Sequence, residues 1–317
     1  MTDHIPRFTR WDGVHALCFA GMAALLGALA NQINSLSVES QLLTLGALAI
    51  IIGVPHGALD LPVARRWLMP LWGWAWAPVF VAVYLIVAVP VAVGWMAVPG
   101  MTLGFFLLTA IYHFGVSDTE RSGLRPKRRF LEGLARGSAP VAITAWAQTA
   151  EVEMLFSHLA GSHAASLLAE TAAVAGPAAL VLLVAAAVWR LVDLRQGDQL
   201  DRRRALTKAL ELAALPLVFM SLAPLLAFTL YWIGLHSLHV LLIAASKEER
   251  SGAAAVWSAY RPALPVTVAT LTLAAFAYAV FFHGWTLMAA GMAIIFMGLS
   301  VLNTPHMLFV SITARYR

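Results

Sequence analysis

The sequence predicts an all-α fold, a polytopic transmembrane bundle of about ten helices forming a single integral membrane domain over residues 1–317, with both termini cytoplasmic. Three observations lead there. Of 317 residues, 61% are hydrophobic and only 12% charged, and the mean hydropathy is +0.79; this is too apolar for a soluble domain. Apolar windows near the ~20 residues needed to cross a ~30 Å hydrocarbon layer recur along the whole chain. Lysines and arginines occupy only every second connection between those windows, the asymmetry that orients helices in a bilayer.

The windows run, in order, over 13–34, 38–60, 76–98, 101–117, 131–149, 172–190, 206–222, 224–246, 264–282 and 286–312. Arg7 and Arg10 precede the first, Arg65 and Arg66 follow the second, and Arg121 to Arg136 join the fourth to the fifth. Arg190 to Lys208 flank the sixth and seventh, Lys247 to Arg261 join the eighth and ninth, and Arg315 and Arg317 close the chain. The alternate connections near Asn34, Pro99, Glu151 to Glu170, Leu222 and His283 hold no Lys or Arg. An even number of spans with cytoplasmic termini follows. The net charge of +5 is therefore topology and contact with anionic lipid, not a nucleic-acid footprint.

The polar stretches Asp118 to Arg129, Glu151 to Glu170 and Arg190 to Lys208 read as loops, the second with an amphipathic helix on the external surface. Trp67, Trp72, Trp74 and Trp76 read as an interfacial belt. Cys18, the single cysteine, is expected to be a small buried hydrophobe. The amino end, basic residues before an apolar run and Ala28-Leu29-Ala30, imitates a secretory signal, but the run is longer than a signal's core and reads as a spanning helix.

Chemistry enters with the histidines. His56 lies nine residues before Arg65, His113 eight before Arg121, His239 eight before Lys247 and His306 nine before Arg315. At ~1.5 Å per residue these four sit roughly 12 to 14 Å inside one membrane face. His236 is one turn from His239, on the same face of an ideal helix. Ionisable groups at that depth are expensive, so a shared function is the default reading. His15 is shallower and expected at the interface, His4 belongs to the tail, and His158, His163 and His283 lie toward the opposite face.

Two motifs end alike. In Gly53-Val54-Pro55-His56-Gly57-Ala58-Leu59-Asp60, the proline removes a backbone donor and Gly57 leaves room for a ligand beside His56. Asp60 either orients an imidazole, its own neighbour or one across the bundle, or simply ends the helix. In Tyr112-His113-Phe114-Gly115-Val116-Ser117-Asp118, Asp118 is off the His113 face; it serves either an imidazole or Arg121. The others are Leu235-His236-Ser237-Leu238-His239 and Asn303-Thr304-Pro305-His306-Met307, in which Met307 reads as packing. Imidazoles without cysteine suit iron, copper or zinc. An apolar membrane cavity favours oxygen activation on a lipid-like substrate, hence Fe(2+).

Together these motifs resemble the Brp/Blh family of membrane β-carotene 15,15′-dioxygenases, over about Leu43 to Phe309. The resemblance implies iron-dependent cleavage of a carotenoid, β-carotene to retinal, by dioxygen in the cell inner membrane. It implies His56 and His113 as iron ligands, His306 as a further one, and Asp60 and Asp118 as the accompanying carboxylates of the catalytic site. In that family the second histidine of the third motif usually follows four residues after the first, where this chain has Val240. Whether His236 or His239 ligates therefore stays open. Tyr112, Phe114, Tyr231 and Trp232 are candidates for gripping the flat polyene, with packing the competing role. The alternatives are a histidine-based transporter or proton relay, or another membrane non-haem oxygenase acting on a different lipid.

Overall fold

The computed structural model describes residues 10–195, 199–248 and 250–313, so His4, Arg7, Arg315 and Arg317 lie outside it. Among the described residues the chain is helical throughout, without strands. Seven helical runs are long and apolar enough to cross a membrane: Trp11–Ala28, Val38–Ala97, Pro99–Thr119, Ser162–Asp193, Pro224–Ser246, Gly252–Phe282 and Leu287–Thr313. The run Val38–Ala97 is 60 residues, at ~1.5 Å per residue far more than one bilayer. Gly73 breaks it, with a φ of 51° that a side chain disfavours.

Two predicted windows, 131–149 and 206–222, are helical but stand outside those seven runs. The helices Pro126–Ser138 and Gln199–Ser221, which hold much of them, bury charge along with hydrocarbon. Arg136, wholly buried, donates to Glu132 at 3.1 Å, to Glu211 at 2.9 Å and to the Lys208 carbonyl at 3.3 Å. Arg190 donates to Glu132 at 2.8 Å, and Lys208 to Glu211 at 2.8 Å. These three cations, expected to mark helix flanks, are internal ion-pair partners because two glutamates, Glu132 on one of these helices and Glu211 on the other, desolvate with them.

The connections are also shorter than expected. Helix Ser162–Asp193 absorbs Arg190, and helix Gln199–Ser221 absorbs the residues up to Lys208. Glu151 to Glu170 is helical too: Thr149–Ala160 buries Val152, Leu155 and Leu159 in the bundle, and Gly161, with φ 77°, turns the chain into the next helix. The expected helix is there, with one face on the bundle and Glu151 exposed on another. Cys18 is exposed on its helix, contrary to the expected core position, whereas His15 is buried rather than interfacial. Trp74 points outward at 89% exposure, as a belt residue does.

Close helix approach fixes the depth of one motif. A Cβ at Gly115 would stand 2.5 Å from the Gly133 carbonyl oxygen, and one at Gly137 would strike the Ile111 carbonyl. Gly115 thus lets the helix Pro99–Thr119 lie backbone to backbone on Pro126–Ser138, as small residues do between membrane helices.

Candidate metal centre

Two of the histidines, His56 and His236, are delivered by irregular stretches of helix. Before His56 the chain makes a wide, π-type turn over Ala49–Gly53, and the Val54 N–H reaches back five residues to Ala49. Pro55 lacks the N–H that would bond the Ile51 carbonyl four residues earlier. That carbonyl instead accepts from the Tyr260 hydroxyl at 3.0 Å. Gly53 accepts a hydrogen bond from His56 Nδ1, and a Cβ there would be 2.8 Å from Trp232 Cη2. A second wide turn, Leu230–Ser237, contains His236. Such turns are frequent at functional sites, because they re-aim side chains without ending the helix.

Four imidazoles from four runs meet. One ligand atom from each of His56, His113 and His236 lies within 4.8 Å of the other two, and all three residues are buried. The His306 ring is 5.1 Å from that of His113 and 5.7 Å from that of His56, centroid to centroid. His236 is 5.3 Å from His56 and 5.0 Å from His113.

The far nitrogens are held. His236 Nδ1 donates to Asp118 at 2.8 Å, and Asp118 also accepts from the Tyr231 hydroxyl at 2.9 Å. His306 Nδ1 donates to Asp60 at 2.7 Å. Asp60 thus serves an imidazole across the bundle, not His56, because the helix is interrupted at Leu59. With Nδ1 protonated and anchored on three rings, their Nε2 lone pairs remain for a ligand. His56 Nε2 is buried and has no partner, a costly state for a polar nitrogen unless something binds it. Imidazole bonds of about 2.0–2.1 Å to a metal put opposed nitrogens about 4 Å apart, close to the observed spacing. The donor set fits a transition metal.

His239 is not in this cluster. Its Nε2 donates to Asp12 at 2.9 Å, and its ring stacks on His15 at 5.0 Å and 11°. The wide turn around His236 advances less rotation per residue than an α-helix, so a residue three further on leaves the shared face. Arg121 pairs with Asp12 at 3.3 Å and leaves Asp118 to the histidine. Of the aromatic residues, Phe114 meets His236 edge-on at 5.0 Å, and Trp232 meets His56 at 6.5 Å. Tyr231 is buried as the Asp118 donor. Tyr112 is 51% exposed and turned toward Ser311, away from the cluster.

Beside the cluster lies an apolar cavity of about 90 Å³, lined by Leu103, Phe106, Ala110 and Phe114 on one helix and by Phe228 on another. Phe114 touches the cavity and His236 alike. Phe228 stacks on Trp232 at 5.6 Å. Sequence reasoning missed this cavity, the Glu132–Arg136–Glu211 network and Tyr260. The stripe 103, 106, 107, 110, 114 was readable as one helical face, but not as the wall of a space.

Among the described residues, helices apolar enough for a bilayer bring a buried histidine cluster, able to hold a metal ion, beside a hydrocarbon-lined cavity, as a membrane enzyme for apolar substrates would. Residues 47–313 match the family described as Beta-carotene 15,15'-dioxygenase, and the chain belongs to that family. A curated relative, the Beta-carotene 15,15'-dioxygenase of uncultured marine bacterium 66A03, is 25% identical over 278 residues, covering 85% of this chain and 92% of the relative. No solved structure matches.

Proposed function

We propose that the protein cleaves a carotenoid at its central double bond with dioxygen, giving retinal from β-carotene, at an Fe(2+) held by His56, His113, His236 and His306. The convergence of four buried imidazoles, three with Nδ1 anchored, on the edge of an apolar cavity is the observation that supports this reading most. Iron bound there supplies the activation of dioxygen.

The chain's own residues orient and shield. Asp118, Asp60 and the Gly53 carbonyl keep protons on Nδ1 of His236, His306 and His56, and so keep the opposite nitrogens available as ligands. Tyr231 fixes the Asp118 carboxylate. Phe114 and Trp232 present ring edges where a flat polyene would lie. The apolar walls exclude water, so that the double bond breaks between two carbons that each leave with one oxygen atom and no external reductant is consumed.

The reading includes ten spans in the cell inner membrane with cytoplasmic termini, supported by the one-sided placement of Lys and Arg. The carotenoid then reaches the cavity laterally from the bilayer. Expression in cells that accumulate β-carotene tests the whole: loss of yellow pigment with stoichiometric retinal is expected, and unchanged pigment with fully inserted protein would reject it. Metal analysis of the purified protein separates iron from copper and zinc.

A further inference from the structure

Helix Thr149–Ala160 carries no histidine of the cluster and, at 12 residues, is too short to cross a bilayer. One of its faces nevertheless reaches the cavity. Val152, Leu155, Phe156 and Leu159 recur at the three- and four-residue spacing of a single helical stripe, and all four line the space.

The cavity lies to one side of the histidines. Leu103 to Ala110 come before His113 on their run, Pro224 to Phe228 before His236, and Met292 and Phe296 before His306. Three runs thus pass the cavity first and the cluster afterwards. Phe114, against the His236 ring, marks the near end. Leu103 marks the far end, eleven residues away along an unbroken α-helix, or about 16 Å at 1.5 Å per residue.

Helix Thr149–Ala160 lies across that far end, and both of its flanks are tied there. Gln148, just ahead of it, donates to the Leu222 carbonyl at 2.8 Å, two residues before Pro224. Just after it, Ala164 packs against the start of the helix Pro99–Thr119, where a Cβ at Gly100 would stand 2.7 Å from the Ala164 Cβ. Leu155 and Leu159 are each 6% exposed and belong to the same packed core as Leu103. The stripe therefore closes the cavity at the level of Leu103.

The distance from Phe114 to that wall is about the reach of half a carotenoid, from its central double bond to its terminal ring. At about 90 Å³ the space is a narrow slot. Its lining side chains make no hydrogen bond, so parting them for a rod-shaped guest breaks none. We propose that Leu155 and Leu159 are the end stop of this slot, and that they fix the position of cleavage by setting how far a terminal ring enters before the polyene meets the cluster. The proposal rests on the histidine cluster being the cleavage centre and adds what places the central bond there.

The test uses the full metal-loaded chain in detergent and β-apo-8′-carotenal, which has a ring at one end only. Its aldehyde end finds no partner among hydrocarbon walls, so the ring end enters. The unaltered protein is expected to give retinal as the ring-bearing product. Leu155→Ala and Leu159→Ala each withdraw two bonds of side chain, about one double-bond repeat of a polyene, and should lengthen that product by two carbons. Leu155→Phe should shorten it. Metal content per chain, expected equal throughout, shows that each variant keeps its centre; Leu155→Val, giving a mixture of the two lengths, stands in if alanine unfolds the bundle. Retinal as the sole ring-bearing product of the metal-loaded variants, or no product from any of them, overturns the end stop and leaves the oxygenase reading intact. No cleavage by the unaltered protein rejects both.

Discussion

His15 donates its Nε2–H to the carbonyl of Gly234 at 2.7 Å, two residues before His236 on a neighbouring helix. In the wide turn the Leu238 N–H bonds Ile233 rather than Gly234. The Gly234 carbonyl is thereby free to accept from His15, and the His15 ring is in turn braced by the stacked ring of His239. A side chain expected at the interface thus stabilises the irregular turn that aims a candidate ligand.

His15→Leu removes that donor and leaves the carbonyl buried. The expected result is a ten- to hundredfold weaker metal affinity, about the effect of losing an outer-shell partner, with the helical content retained. Metal titration of purified protein beside circular dichroism measures both; unchanged affinity would show that the turn holds its shape alone.

His56→Ala and His113→Ala should each abolish stoichiometric metal while the protein still inserts. His239→Ala should keep its metal, because that ring is bonded to Asp12 and faces away from the cluster. Metal content per chain distinguishes the three. Full loss in His239→Ala would mean that the ring turns inward when the ion binds.

Asp118→Asn is expected to lower metal affinity or activity ten- to hundredfold, since the anchor of His236 becomes a weaker acceptor. Tyr231→Phe removes only the second donor to the same carboxylate and should cost about 1 kcal/mol in stability. The ordering of these two variants in one affinity series is the check; equal effects would contradict it.

Gly115→Ala places a methyl group against the Gly133 carbonyl and is expected to destabilise the bundle by about 1–3 kcal/mol. Gly57→Ala, with open space beside its Cβ, should cost much less. Thermal unfolding in detergent compares the pair.

Much of this architecture was legible in the sequence, for physical reasons that differ by residue. His56, His113, His236 and His306 stood out because imidazoles deep in apolar windows are rare and their distances from basic flanks agree. Asp60 and Asp118 were readable as companions, but not their partners. Both serve rings on other helices, and partners across a bundle have no fixed separation along the chain. His239 was misplaced since its spacing from His236 assumes a regular α-helix, and no residue pattern announces a wide turn. Tyr112 and Phe114 are two residues apart and so point to different sides of one helix; only the neighbours decide which side holds the cavity. Arg136, Arg190 and Lys208 looked like flanking charge because each is basic and near a window edge, yet Glu132 and Glu211 draw them inward.

That charge cluster bears on how the protein is made. Glu132 and Arg136 leave the ribosome 79 and 75 residues ahead of Glu211, and neither helix contributing them is among the seven that are apolar enough to hold a bilayer by themselves. Until the later segment arrives, the earlier one carries an arginine whose second carboxylate has not been synthesised. The two therefore depend on each other for stable integration, and a chain truncated before Glu211 would be left with an unneutralised cation at the heart of the fold, a natural target for membrane quality control.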